Sequence, residues 1–389
     1  MSRSAISTTA CLAAGLLLIG ACGGSLADLG TSTTSPGTTS AATTTTEAGA
    51  TTTAAPPTTL IPLPGSGLLA CQVSDFGGVD DAAINQTAWA GMERAHTELG
   101  VAIEFLRSND ESNYRRNVDA FLDRQCDLIV TTGVLLAPET ARAAHASPDI
   151  DFAIIDYPVG PFDPWGDPAP TNVRGLTFQI DEAAFLAGYL AAGMSTSHVI
   201  GTFGGLDIPP VTQFMEGFRR GALHYDVTHG ISTRVEGWDG EDGLFTADFI
   251  SMEKGYELAQ QLLEAGADVI LPVADRVGEG ACRAIEEANA AGATAMMIGK
   301  DWDWYFSAPD CAPVMLTSIL KRVDVAVFKT IQNLVVIDAV GNQFLGTLEN
   351  DGVGLAPFHD FASEVPAQLV AELEELADDI AAGTVQVRG

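Results

Sequence analysis

The sequence has 389 residues and a formal net charge of −32 at pH 7, with 51 acidic side chains against 19 basic ones. So acidic a chain repels phosphate groups, which argues against nucleic acid, phosphorylated ligands and anionic lipid as partners and favours a neutral or cationic ligand. The histidines are scattered and the cysteines lack CxxC spacing, so the sequence predicts neither a metal site nor another cofactor.

Residues 1–21 have the pattern of an export signal. Arg3 precedes a short apolar run, residues 11–19, which is too short to span a bilayer as a mature helix. The sequence LIGAC at residues 18–22 then resembles a bacterial lipobox, in which the thiol of Cys22 receives diacylglycerol. This pattern predicts a palmitate-bearing lipoprotein at the extracytoplasmic face of the cell membrane, anchored by more than one acyl chain. An ordinary secretory signal cleaved nearby is the alternative.

Residues 22–67 are predicted to form a disordered tether that starts at the lipidated cysteine. Nearly all of them are Thr, Ser, Ala, Gly or Pro, and such a segment buries too little apolar surface to offset its ordering entropy. The remaining chain of roughly 320 residues is too long for one small core, so it suits two domains.

From residue 68 onward, short apolar runs alternate with helical patterns. Strands are predicted at 68–74, 101–106, 127–132, 151–156, 173–178, 198–204, 233–238, 268–273, 295–300 and 313–319. Helices are predicted at 82–99, 113–125, 138–146, 181–195, 210–225, 252–266, 278–291, 322–338 and 366–382. Runs such as DLIV and FAIID are typical of strands that are buried on both faces of a parallel sheet.

Repeated β-α units of this kind predict an α/β fold with two doubly wound, Rossmann-like lobes that close on a ligand about a hinge. The first lobe is predicted to contain residues 68–178 and 320–340. The second lobe is predicted to contain residues 179–319 and 341–389.

Four cysteines lie in the predicted folded part, and an even number in an exported domain indicates disulfides. Cys71 opens the first strand and Cys126 directly precedes the strand at 127–132, so neighbouring parallel strands would bring the two together. The preferred pairing is therefore Cys71 with Cys126 and Cys282 with Cys311. Buried free thiols are the alternative.

Polar residues gather where the predicted strands end. Asp75 follows the first strand, Asp156 the fourth, and Asp301 with Asp303 the ninth. In α/β sheets ligands bind at the carboxyl ends of strands, so two facing lobes would bring these groups to one cleft.

Several long segments carry a family resemblance over residues 68 to about 356. They are DFGGVDDAAINQTAWAGMERA (75–95), FAIIDY (152–157), NVRGLTFQIDEAAFLAGYLAA (172–192), VIGTFGGLDIPPVTQFMEGFRRG (199–221), GADVILPVADRVGEG (266–280), IGKDWDW (298–304) and LTSILKRVD (316–324). In this order they resemble the basic membrane protein family of substrate-binding lipoproteins, which includes purine nucleoside receptors. The resemblance implies a periplasmic-binding-protein-like, type I fold and a monomer that delivers a nucleoside to an ABC transporter permease.

The resemblance also implies a set of ligand-binding residues. Asp75 would bond a ribose hydroxyl, while Asn85 and Asp156 would bond the edge of the base. From the second lobe, Asp301, with Asp303 nearby, and Lys321 would hold the sugar.

An aromatic ring is expected to stack on the face of the base. The family position falls most naturally at Phe249, with Trp238 and Phe245 as competitors. Two residues depart from the family pattern, because Ile84 stands where Phe is usual and Asp275 where Gly is usual. Both departures leave open a different neutral polar metabolite as the ligand.

Other classes of function are less well supported. The sequence has no GxSxG elbow, P-loop or HExxH motif, so it is not predicted to be an enzyme. A nucleoside hydrolase that uses Asp75, Asp80 and Asp81 around calcium is the enzymatic alternative. A ligand sensor that docks on another envelope protein is a third class with the same pocket.

Overall fold

The protein is described by a computed structural model for residues 62–76, 78–80, 84–341 and 343–388. The predicted export signal, Cys22 and nearly all of the predicted tether lie outside these residues. Within them, no helix combines the length and the apolar character needed to cross a bilayer.

Strands and helices alternate along the described residues. The first half of the chain contains β1 (Leu69–Phe76), α1 (Ile84–Leu99), β2 (Ala102–Ser108), α2 (Tyr114–Arg124), β3 (Leu128–Thr132), α3 (Ala137–Ala146), β4 (Asp151–Ile155), β5 (Val173–Phe178) and α4 (Ile180–Met194). The second half contains β6 (Val199–Gly204), α5 (Pro209–His229), β7 (Arg234–Glu236), α6 (Met252–Glu264), β8 (Val269–Val273), α7 (Val277–Ala290), β9 (Met296–Asp301), α8 (Trp304–Ser307), β10 (Met315–Lys321), α9 (Val323–Ile337), β11 (Phe344–Gly346), β12 (Val353–Leu355) and α10 (Ala367–Ala381).

The strands form two six-stranded sheets with the same winding. The first sheet has the order β11-β5-β4-β3-β1-β2 and the second the order β12-β10-β9-β8-β6-β7. All neighbours are parallel except β10 and β12. The chain reverses its winding beside β1 in one sheet and beside β6 in the other, which are the switch points where such sheets bind ligands.

The ten predicted strands and nine predicted helices are confirmed, with ends that differ by a few residues. The apolar runs were a dependable signal because strands such as β3 and β8 are buried along their whole length. The short elements β11, β12 and α8 were not predicted, since three or four residues are too few to show a periodicity.

The lobe boundaries differ from the predicted ones at two places. Of residues 320–340, which were predicted to belong to the first lobe, Leu320 and Lys321 lie in β10 of the second sheet, whereas α9 packs against α1 of the first lobe as predicted. The predicted second lobe included residues 341–389, yet β11 pairs with β5 in the first sheet, with Phe344 opposite Leu176. The chain therefore crosses between the lobes after β5, after β10 and after β11.

Both preferred disulfides are present, Cys71–Cys126 and Cys282–Cys311. In the first lobe, Cys71 lies opposite Ile129 of the adjacent strand β3, so the cysteine that precedes β3 is close by. The alternative of buried free thiols is therefore wrong for these four residues.

Helices α4 and α5 approach each other closely because glycines line their contact. A Cβ atom added at Gly188 would lie 1.8 Å from the carbonyl oxygen of Phe218, and one at Gly221 would lie 1.9 Å from that of Phe185. This packing holds the middle of α4 against α5.

Candidate functional site

Five alternating charges form a continuous chain between the two lobes. Lys321 Nζ lies 2.9 Å from Asp156 Oδ2 and 3.3 Å from Asp301 Oδ1. Lys300 Nζ bonds the other carboxylate oxygen of Asp301 and lies 2.5 Å from Asp275 Oδ1. We call Asp156, Lys321, Asp301, Lys300 and Asp275 the charge chain. Asp156 belongs to the first lobe and the other four to the second, so the Asp156–Lys321 pair joins the lobes.

The fold supplies these residues from the carboxyl ends of its strands. Asp156 directly follows β4, Asp275 follows β8, and Asp301 and Lys321 end β9 and β10. The three aspartates have positive φ angles of 63°, 35° and 65°, in the left-handed region that side chains other than glycine seldom adopt. Such strained positions cluster at binding and catalytic sites, where surrounding structure holds them in place.

The middle of the charge chain is buried and its ends are more accessible. The side chains of Lys321, Asp301 and Lys300 are 5, 6 and 8% exposed, whereas those of Asp156 and Asp275 are 14 and 30% exposed. Three carboxylates and two ammonium groups leave one net negative charge. A ligand that meets this site therefore encounters charges that are largely compensated among themselves.

The neighbours keep every member of the buried centre ionised. Burial alone would raise the pKa of the Asp301 carboxyl, but the ammonium groups of Lys300 and Lys321 outweigh it and hold the pKa at about 2. Burial alone would lower the pKa of both lysines, but the adjacent carboxylates raise the pKa of each above its ordinary value.

Lys300 is the member of the charge chain that the sequence interpretation missed. It lies inside the apolar run MMIGKD of β9, which is buried along its whole length. A lysine in such a run needs an acidic partner, because an isolated buried ammonium group is strongly disfavoured. That signal was present in the sequence and could have identified Lys300.

Asp75 and Asn85 form a second polar group at the end of β1. Asn85 Nδ2 donates to Asp75 Oδ1 over 2.7 Å, and Asn85 lies buried in the first turn of α1. Gly133, with φ 91°, follows β3, and a Cβ atom there would lie 2.7 Å from Asp75 Oδ2. Glycine thus lets the Asp75 carboxylate approach the turn that leads to Val134, a residue of the cavity described next.

A cavity of about 610 Å³ lies between the lobes beside the Asp156–Lys321 pair. This volume is within the range that small-molecule sites usually have. The cavity is lined by Val134, Asp156, Tyr157, Pro158, Phe162, Thr177, Phe178, Ile180, Ile208, Pro209, Pro210, Gln213, Lys321, Leu345 and Arg388.

Aromatic rings pack on Gly204, the last residue of β6, and on Gly205, which follows it. A Cβ atom at Gly205 would lie 2.3 Å from the ring of Phe249, and one at Gly204 would lie 2.7 Å from the ring of Phe245. Both predicted stacking candidates therefore lie at the carboxyl end of a strand beside a switch point. Phe249 is half-buried and so retains an accessible part of its surface.

Three other predicted residues have different surroundings. Trp238 is buried in the second lobe, where its indole N–H donates to Glu216 Oε2 over 3.0 Å. Asp303 accepts a hydrogen bond from the backbone N–H of Tyr305, and its carboxylate lies 2.8 Å from His359 Nε2. Ile84 begins α1 and packs half-buried against the core.

The three aspartates of the calcium alternative are only partly described by the structure. The side chain of Asp80 is 82% exposed and its Oδ1 lies 3.9 Å from Arg107 Nη1, while Asp81 lies outside the described residues. Across the described ranges, no group of three or more His, Cys, Asp or Glu side chains is arranged to hold a metal ion.

Comparison with known proteins gives consistent matches. Residues 70–387 match the family described as ABC transporter substrate-binding protein PnrA-like. An uncharacterized lipoprotein of Pyrococcus abyssi is 32% identical over 305 residues, which cover 75% of this chain and 70% of that protein. Basic membrane protein A of Borreliella burgdorferi is 31% identical over 247 residues, which cover 64% of this chain and 66% of that protein.

A solved structure shares the fold. The chain is similar to an ABC transporter solute-binding protein from Aeropyrum pernix, with a TM-score of 0.70 and 26% identity. The similarity covers 82% of this chain and 92% of that chain. The predicted periplasmic-binding-protein-like fold is thereby confirmed.

The lowered pKa of Asp301 predicts a loss of stability in acid. Its folded pKa of about 2 lies below the ordinary value of 3.8, so its contribution is complete above about pH 4 and is lost as the pH falls through about 2. Asp301→Asn removes this titration. The unfolding free energy of the Asp301→Asn variant, measured in urea, should therefore fall less between about pH 4 and pH 2 than that of the unmodified protein. Asp123→Asn, on the exposed face of α2, is the matched control, and an equal pH dependence in all three proteins would contradict the assignment.

Proposed function

The chain belongs to the PnrA-like family of ABC transporter substrate-binding proteins, and we propose that the solute it binds is a nucleoside, with a purine preferred. Members of this family bind a small molecule for a transporter and are not enzymes. The protein would act as a monomer that closes its two lobes on the nucleoside and presents it to a membrane permease.

The observation that carries the proposal is the Asp156–Lys321 pair across the two lobes. A carboxylate accepts hydrogen bonds and an ammonium group donates them, so together they suit a neutral ligand with both donors and acceptors. Because these charges already compensate each other, a phosphate group would gain little electrostatic attraction from Lys321. It would also be repelled by the net negative charge of the charge chain. This favours a nucleoside over a nucleotide.

The remaining contacts suit a sugar linked to a heterocycle. Asp301 and Lys321 lie together in the second lobe, where they would hold the sugar hydroxyls. Asp75 would accept a hydrogen bond from a ribose hydroxyl, and Asn85 and Asp156 would form hydrogen bonds with the edge of the base. The half-buried ring of Phe249 would stack on its face, opposite the aliphatic side chain of Ile84.

A different neutral polar metabolite is the second candidate, and Asp275 favours it. Its carboxylate is 30% exposed at the end of β8, so it adds bulk and charge where the family usually has glycine. A ligand with an extra hydroxyl or amine at this point would use that carboxylate as an acceptor.

We also propose that Cys22 carries the lipid anchor, which would place the protein at the extracytoplasmic face of the cell membrane. The relatives from Pyrococcus abyssi and Pyrococcus horikoshii are named as lipoproteins, which supports this proposal.

Calorimetry with adenosine, guanosine, inosine and uridine tests the ligand. We expect at least one purine nucleoside to bind, and Asp156→Ala to weaken its binding by about 1–3 kcal/mol because a hydrogen-bond acceptor in the cavity wall is lost. Asp123→Ala, a surface carboxylate of the first lobe, should leave the affinity unchanged. If none of the four compounds binds, the nucleoside assignment is wrong, and if Asp156→Ala binds as well as the unmodified protein, the position of the site is wrong.

Metabolic labelling with palmitate tests the anchor. The protein should incorporate the label and sediment with membranes, whereas Cys22→Ala should do neither because the acylated thiol is gone. Cys11→Ala is the matched control, since Cys11 lies within the apolar run of the predicted signal, and it should still be labelled. Labelling of Cys22→Ala would reject this assignment.

A further inference from the structure

The interlobe cavity is much less polar than the charge chain beside it. Of the predicted ligand-binding residues, only Asp156 and Lys321 line it. Most of its remaining wall is apolar, with Tyr157 and Phe178 from the first lobe and Ile208 and Pro209 from the second. The Asp156–Lys321 pair therefore borders two regions of different chemistry.

We propose that this cavity binds an apolar, preferably aromatic, substituent on the ligand, so that the solute is a nucleoside extended at the edge of its base. This inference rests on the proposed function, in which Asp156 reads that edge. A group attached there would pass Asp156 and enter the cavity.

The charged groups in the cavity wall are compensated, which favours a neutral substituent. Asp156 is paired with Lys321 across the lobes. Arg388 is held by both carboxylate oxygens of Asp181, at 2.5 and 2.7 Å. A charged substituent would have to compete with these pairs, whereas an apolar one would not.

The start of α5 also argues against a phosphate or carboxylate in the cavity. A helix N-terminus usually attracts anions through its unpaired backbone N–H groups. Here Pro209 and Pro210 occupy the first two positions of α5, and proline has no N–H to donate. The helix therefore presents pyrrolidine rings to the cavity in place of two donors.

The first-lobe wall is held in a defined position by the loop between β4 and β5. Trp165 in this loop is fully buried, and its indole N–H donates to the carbonyl oxygen of Pro158 over 2.8 Å. The ring of Tyr157 packs edge-on against Trp165 with 5.9 Å between centroids. Phe162 in the same loop is 44% exposed at the cavity, so a bound apolar group would cover it.

Calorimetry with adenosine and N6-benzyladenosine tests the inference, because the benzyl group extends the base edge and keeps one N–H donor there. We expect N6-benzyladenosine to bind at least about tenfold more tightly, since its ring leaves water for an apolar cavity. Phe162→Ala should bring the ratio of the two affinities towards one. Phe306→Ala, a 69% exposed phenylalanine outside the cavity wall, should leave the ratio unchanged.

The outcomes separate the two proposals. If adenosine binds but the benzyl derivative binds equally or more weakly, or if Phe162→Ala leaves the ratio unchanged, the apolar cavity is not a ligand subsite and the nucleoside proposal stands. If neither compound binds, this inference falls, and the nucleoside proposal is in doubt as well.

Discussion

The ion pair between Asp156 and Lys321 is the interaction on which the candidate site depends, because it joins a carboxylate of the first lobe to an ammonium group of the second. Lys321 is only 5% exposed, and a buried ammonium group is tolerable only with carboxylates beside it. Lys321 therefore requires Asp156 and Asp301, and Asp301 in turn is balanced by Lys300. In proteins generally, removing one partner of a buried ion pair costs about 3–5 kcal/mol.

The doubly wound fold explains why these five residues can meet. Each lies at or just after the end of a parallel strand, and those strand ends from both sheets converge on the space between the lobes. The three aspartates adopt positive φ angles, so the packed sheets hold them in a conformation that an isolated chain would avoid.

Much of this arrangement could be predicted from the sequence, and the failures have physical reasons. Fully buried strands such as β3 leave an unbroken apolar run, which is a strong signal, whereas the three-residue edge strand β11 leaves none. Asp156 and Asp301 were predicted from their positions at strand ends and from the family resemblance, and Lys321 from the resemblance alone. Lys300 was missed because it lies inside an apolar run, and its need for an acidic partner was not considered. Trp238 was a competitor for the stacking position that the family resemblance implies, and its buried contact with Glu216 depends on tertiary packing that the sequence does not display.

A double-mutant cycle between Asp156 and Lys321 is the most direct test of this account. The unfolding free energies of Asp156→Asn, Lys321→Met and the double variant should be compared with that of the unmodified protein. If the pair joins the lobes as described, each single change removes the partner that the remaining charge has in the other lobe. The double variant should then be less destabilised than the sum of the two single variants, by at least about 1 kcal/mol. Additive effects would show that the two charges act independently and would contradict the central role given to them here.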